Sequence, residues 1–197
     1  LGDVYKRQIA NYSISGICGP PLPKGSQPGV DSEEYFKPDV PAYAYGAHVA
    51  VVEVDPETGF VEILRYIAGH DCGRMVNPML VDGQIHGGVA HGIGDALIEE
   101  LAFDENGTPQ ASTFLDYLLP LSTDIPPIET VHLESPCPTN PLGIKGCGEG
   151  GTIGALPAVA SAVEDALKPL GVTVNRSLLA PSKLHALINQ AKENVST

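Results

Sequence analysis

An α+β fold is predicted, with β-hairpins, one long glycine-rich helix and further helices near the C-terminus. Three observations support this. A β-branched run, Ala47 to Val54, is followed by the turn sequence Asp55-Pro56-Glu57-Thr58-Gly59 and a second strand-like run, Phe60 to Ile67. A long segment beginning at Asn77-Pro78 carries helix signals, and helical runs recur at Ala155 to Leu167 and about Pro181 to Gln190. Strands and helices do not alternate regularly, as they would in a doubly wound parallel sheet, and no internal repeat is present.

The 197 residues are enough for one sizeable domain or two small ones. Residues 1–41 carry little regular pattern. Gly19-Pro20-Pro21-Leu22-Pro23 and Gln27-Pro28-Gly29 interrupt any ladder, so this part reads as an irregular N-terminal segment. Its opening, Leu1 to Gln8, is charged and without pattern and reads as a cloning or sequencing scar. The chain starts without methionine or a signal-peptide pattern, so 42–197 are expected to be the C-terminal portion of something longer.

The first two strands form a hairpin across Asp55 to Gly59. Asn77 is an N-cap and Pro78 takes the first helical position, so a helix should run from Pro78 to about Leu101. Gly83, Gly87, Ala90 and Gly94 recur on one narrow face of it, where a neighbouring helix or a cofactor is expected to press. Gln84 borders this stripe with an amide donor and a carbonyl acceptor, or is an ordinary surface glutamine. Leu101 to Phe103, Asp104-Glu105-Asn106-Gly107 and Ala111 to Leu115 suggest a second hairpin. Ile128 to Glu134 reads as a strand in which Val131 and Leu133 alternate with Thr130 and His132, and Val172 to Asn175 as a short one. Ala158, Ala162, Val163 and Leu167 are expected to form the buried face of the helix from Ala155.

Eleven basic against 24 acidic residues give a formal charge of −13, which disfavours a nucleic-acid partner because such binding depends on Lys and Arg neutralising phosphates. No apolar run is long enough to span a membrane. Cys18, Cys72, Cys137 and Cys147 are far apart and contain no C-x-x-C pair, so they resemble neither a zinc nor an iron–sulfur site, and reduced thiols in the cytoplasm are expected, with a periplasmic setting left open. Cys147 is expected to be a small buried filler. His86 and His91 sit about 140° apart around a helix and do not make a two-histidine metal site. Arg74 is placed to pair with Asp71 or an anion.

The chemistry concentrates in Pro141-Leu142-Gly143-Ile144-Lys145-Gly146-Cys147-Gly148-Glu149-Gly150-Gly151-Thr152. Glycine permits positive φ or a close approach of backbone, at an entropic cost of about 0.5–1 kcal/mol each in regular structure. Glycines on both sides of Glu149 point to a side chain held facing a ligand. The simpler reading is a glutamate favoured by the following helix dipole. Gly146-x-Gly148-x-x-Gly151 also matches a dinucleotide-binding fingerprint, although Asn140-Pro141-Leu142-Gly143 makes a poor preceding strand and Val172 to Asn175 ends without an acidic residue.

Taken in order, Asp71-Cys72-Gly73-Arg74-Met75-Val76-Asn77-Pro78, Gly83 to Gly94 and Lys145 to Gly151 resemble the C-terminal part of the molybdopterin-binding large subunit of the xanthine dehydrogenase/aldehyde oxidase family. The His-Gly-Gly-Val-Ala-His-Gly run and Pro136-Cys137-Pro138-Thr139-Asn140-Pro141 resemble its aerobic carbon-monoxide dehydrogenase large-chain branch. The resemblance, from about Tyr35 to Leu187, implies a fragment of a larger molybdopterin-binding domain and a molybdenum hydroxylase that places a water-derived oxygen on carbon. It implies Glu149 as general base and Gln84, Gly83, Gly87, Gly148 and Gly150 as cofactor-binding residues, with no residue of this chain ligating the metal. The implied cofactor is molybdopterin with molybdenum, in the cytosine dinucleotide form, with iron–sulfur clusters and FAD on partner subunits or domains. The upstream part of the same subunit is a further implied partner. Purines, N-heterocycles, aldehydes and aromatic acyl thioesters remain open as small-molecule substrates. Carbon monoxide is not implied, because that branch depends on an upstream cysteine loop. In isolation the piece is expected to be inactive, to bind no molybdenum and to associate. The alternatives are a non-catalytic binding or assembly module of the same fold and the dinucleotide-binding domain.

Overall fold

The computed structural model describes residues 40–195. The irregular segment up to residue 39, the Leu1 to Gln8 stretch and Cys18 lie outside the described residues. Strand β1 (Tyr45–Val54) pairs antiparallel with β2 (Val61–Asp71), and helix α1 (Pro78–Leu97) then crosses over to β3 (Ile128–Leu133), which runs parallel to β2. The sheet order is β1-β2-β3. After a long loop come α2 (Ala155–Leu167), a single 3₁₀ turn (Lys168–Leu170) and α3 (Pro181–Val195). Hairpin, crossover and trailing helices are the predicted α+β arrangement.

The hairpin turn is held by Asp55, whose carboxylate accepts from the Glu57 amide at 2.8 Å and the Thr58 hydroxyl at 2.7 Å. Asn77 caps α1 by accepting from the Leu80 amide. The core lies between one face of the sheet and the helices. Tyr66 and Ala68 of β2, two residues apart and so on one face, meet Ile85, Val89 and Ile93 of α1, Val159 and Val163 of α2, and Leu184 and Ile188 of α3.

Several elements differ from expectation. α1 stops at Leu97, where the amides of Ile98 and Glu99 both donate to the Gly94 carbonyl. The second hairpin is reduced to one bridge, Phe103 to Pro109, and Val172 to Asn175 forms no strand. A short apolar run becomes a strand only when a neighbour takes up its amides and carbonyls, and none does among the described residues. On α2 the buried face is Ala155, Val159, Val163 and Leu167, so Ala158 and Ala162 sit half-buried at its margin. β3 alternates as predicted, but Thr130 and His132 are on its inward face. Thr130 Oγ1 donates to Asp82 of α1 at 2.9 Å and His132 Nε2 lies 2.6 Å from the same oxygen, leaving Val131 52% and Leu133 64% exposed.

Gly59 is the tightest point of the hairpin. Its φ is +75°, and a Cβ there would overlap the Pro181 carbonyl and crowd the His185 amide at 2.7 Å, at the start of α3. Gly107, at φ +79°, has no described residue within 4 Å of where a Cβ would stand. Gly59→Ala should therefore add overpacking of about 1–3 kcal/mol to the backbone strain that Gly107→Ala incurs alone. Thermal unfolding of the two variants checks this, and equal losses would show that the turn does not bear on α3.

Candidate functional site

Glu149 lies in a loop that is tied to the end of β2 before it reaches α2. The Lys145 amide donates to the Cys72 carbonyl at 2.7 Å, the Arg74 amide to the Gly143 carbonyl at 3.0 Å, and Gly73 bridges Ile144. Side chains add a second tie. Lys145 Nζ lies 3.1 Å from Asp71 Oδ1, with both side chains buried, and it also sits 4.6 Å from the centre of the Tyr45 ring. Burial alone would raise the Asp71 carboxyl, but hydrogen bonds from Ser135, Gly73 and Lys145 outweigh it and bring it to about 2. Asp71 thus pairs with Lys145 rather than with Arg74, whose side chain is exposed.

Beyond this anchor the loop crosses α1 so closely that a Cβ on Gly151 would collide with the Ile85 carbonyl. One on Gly88 would come within 2.8 Å of the Thr152 amide. This crossing sets the positions of the two polar candidates, Gln84 next to Ile85 and Glu149 two residues before Gly151. The residue after Glu149 is constrained too. A Cβ on Gly150 would run into the His70 ring, so glycine is needed there for packing.

Glu149 lines a cleft of about 390 Å³ together with Tyr45, His48, His70, Cys147 and Gly148. Its side chain is exposed to that hollow. Gln84 lines an adjoining cleft of about 280 Å³ with Cys72, Arg74, Leu80 and Cys147. Cys147 borders both, and it is half-buried rather than a fully buried filler. The two histidines on the first cleft were not anticipated. His48 Nδ1 is 2.8 Å from the Tyr66 hydroxyl, and burial lowers the pKa of both His48 and His70 below the ordinary imidazole value. The available signal was their alternation on paired strands, Gly46 opposite His70 and His48 opposite Ala68.

The small-residue stripe does not behave uniformly. Among the described residues nothing stands within 4 Å of where a Cβ of Gly83 or Gly87 would be, whereas Gly94 is covered by the Glu99 side chain. Close helix packing falls instead on Gly88 and Gly92, against Gly151, Thr152 and Ala155. Gly83, Gln84 and Gly87 therefore present bare backbone and an amide side chain on an open face. Gly148 likewise has no described residue within 4 Å of where a Cβ would stand. A low-walled, glycine-lined hollow with one carboxylate, beside a face offering an amide donor and acceptor, fits a large polar cofactor approached by a small substrate. The dinucleotide fingerprint lacks its context, since Gly146 follows a loop rather than a strand and α2 begins only at Ala155.

Residues 7–126 match the model of the molybdopterin cofactor-binding domain family. Gln84, Gly83 and Gly87 fall inside that match, and Gly148, Glu149 and Gly150 lie beyond it. The chain is 41% identical over 162 residues to the nicotine 6-hydroxylase large subunit of Paenarthrobacter nicotinovorans, covering 82% of this chain and 20% of that protein. It is 38% identical to the carbon monoxide dehydrogenase large chain of Hydrogenophaga pseudoflava, covering 77% of this chain and 19% of that one. The crystal structure of a Cu,Mo-CO dehydrogenase superposes with a TM-score of 0.83 at 30% identity, over 94% of this chain and 23% of that one. The chain thus spans about a fifth of the length of these relatives.

Proposed function

The chain belongs to the molybdopterin cofactor-binding domain family, and on that premise we propose that it is part of a molybdenum hydroxylase in which Glu149 is the general base. Residues 42–197 are its C-terminal portion. The observation that carries the assignment is the position of Glu149, on the rim of a glycine-lined cleft and beside a crossing that also positions Gln84. When bound, the molybdenum cofactor supplies the oxidising centre for hydroxylation of a substrate carbon. The net change replaces C–H by C–OH with oxygen from water, releases two protons and passes two electrons to iron–sulfur and FAD partners.

Glu149 takes one of those protons, from the oxygen that attacks the substrate, at a carboxylate oxygen facing the cleft. Gly148 and Gly150 keep the walls low, so substrate and carboxylate approach without a side chain between them. The anchor at Asp71 and Lys145 holds the loop still, so the base needs no long search for its position. Gln84 would hold the pterin through its amide donor and carbonyl acceptor, and the uncrowded backbone at Gly83 and Gly87 would admit it beside α1. The form of the cofactor that we propose is the cytosine dinucleotide. The substrate is an aldehyde, an N-heterocycle or a related carbon centre.

Glu149→Gln in the intact assembled enzyme tests the base role, with turnover measured at known molybdenum content. Gln84→Leu tests the other half. It should lower cofactor occupancy after purification while leaving the turnover per bound molybdenum within a few-fold. Full occupancy in Gln84→Leu would remove this residue from the cofactor contacts.

A further inference from the structure

We propose that His70, Cys72 and Cys147 form a binding site for one thiophilic metal ion of the zinc class, held by an imidazole nitrogen and two thiolate sulfurs. Their ligand atoms all lie within 4.8 Å of one another. With Zn–S of about 2.3 Å and Zn–N of about 2.0–2.1 Å, tetrahedral coordination needs ligand atoms about 3.6–3.8 Å apart, which small side-chain rotations reach. The residues come from separate places, His70 in β2, Cys72 just past its end and Cys147 in the glycine loop. The backbone bond from Lys145 to Cys72 and the bridge from Gly73 to Ile144 hold these segments together without any ion.

The second observation is His70 itself. It is only 2% exposed, yet neither Nδ1 nor Nε2 has a hydrogen-bond partner among the described residues. A buried imidazole with both nitrogens unpaired is costly, and a metal bond to one nitrogen removes half of that deficit. A disulfide between Cys72 and Cys147 would leave it untouched. Both cysteines are free thiols. Two thiolates and one imidazole suit a zinc-class ion better than a hard cation. Binding would form two S–metal bonds and one N–metal bond and release two thiol protons.

A fourth coordination position would be open. His70 and Cys147 line the cleft that holds Glu149, and Cys72 and Cys147 line the one that holds Gln84. Three protein ligands and one open position are the arrangement of reactive rather than purely structural zinc sites. The ion would sit between the two clefts, two residues along the loop from Glu149.

The experiment uses the full chain in its native assembly, stripped with a chelator under reducing conditions and titrated with Zn²⁺, with zinc and molybdenum counted in the same samples. The expected result is one tightly held zinc per chain, with affinity reduced at least about tenfold by Cys147→Ser and by Cys72→Ser and unchanged by Cys137→Ser. Co²⁺ in place of zinc should give a thiolate charge-transfer band that Cys147→Ser abolishes. If Cys72→Ser does not fold, the half-buried Cys147 decides the matter alone. No stoichiometric zinc, zinc retained at full affinity in Cys147→Ser, or a Cys72–Cys147 disulfide found by thiol mapping would each overturn the site. Zinc bound with molybdenum absent would support this site and count against the cofactor assignment, so the two fail separately.

Discussion

Glu149→Gln should lower kcat by about 10²–10⁴-fold in the assembled enzyme, the contribution typical of a positioned general base. Glutamine keeps the length, the shape and one acceptor oxygen, but it cannot take up a proton. Among the described hydrogen bonds none involves the Glu149 side chain, so nothing in the loop should move when it is replaced. Molybdenum content should therefore stay at the wild-type level. KM should change little, and kcat and kcat/KM should fall together, as expected when an interaction made only in the transition state is lost. Turnover within a few-fold of wild type, with molybdenum fully loaded, would exclude the base role and favour a binding or assembly module of the same fold. A loss of molybdenum in parallel with activity would instead assign Glu149 to cofactor retention.

What was legible in the sequence was mostly local. Asp55 to Gly59 announces its turn, Asn77-Pro78 its helix start, and Ala155 to Leu167 its helix, because each signal lies within a few residues of the structure that it specifies. Glu149 was singled out because glycines cost entropy and therefore need a reason to be there. The remainder depends on which segments meet. Whether Val172 to Asn175 becomes a strand is decided by whether a partner lies beside it. Which face of β3 is buried is decided by Asp82, on a helix far away in the chain, which draws Thr130 and His132 inward against their hydropathy. His70, Cys72 and Cys147 show no metal-ligand spacing, because their proximity is made by the tie between β2 and the glycine loop. The stripe on α1 illustrates the same limit. Its period was visible, but only the crossing with the loop reveals that Gly88 and Gly92 carry the packing while Gly83 and Gly87 stay open.

Lys145→Met should free the glycine loop from the end of β2, with a local destabilisation of about 3–5 kcal/mol, because it leaves the buried Asp71 carboxylate without its counter-charge. Methionine matches the aliphatic stem, so the loss is of the ammonium rather than of volume. Amides that close the tie, such as Lys145 to Cys72 and Arg74 to Gly143, should exchange about 10²–10⁴-fold faster, while those of the α2 core change little. The pH dependence has a fixed sign. Asp71 titrates near 2 in the folded protein against an ordinary 3.8, so its contribution is fully present above pH 3.8 and is lost as pH falls from there towards 2. Without Lys145 the burial penalty is opposed only by Ser135 and Gly73, so the carboxyl rises and the loop should begin to open at a higher pH than in the parent. The double variant Asp71→Leu, Lys145→Met removes both charges together and should recover part of the loss, although the bonds to Ser135 and Gly73 go with it. Parent-like exchange in Lys145→Met would mean that the backbone bonds hold the loop unaided. The stillness attributed to Glu149 would then have to come from the Gly151 crossing on α1.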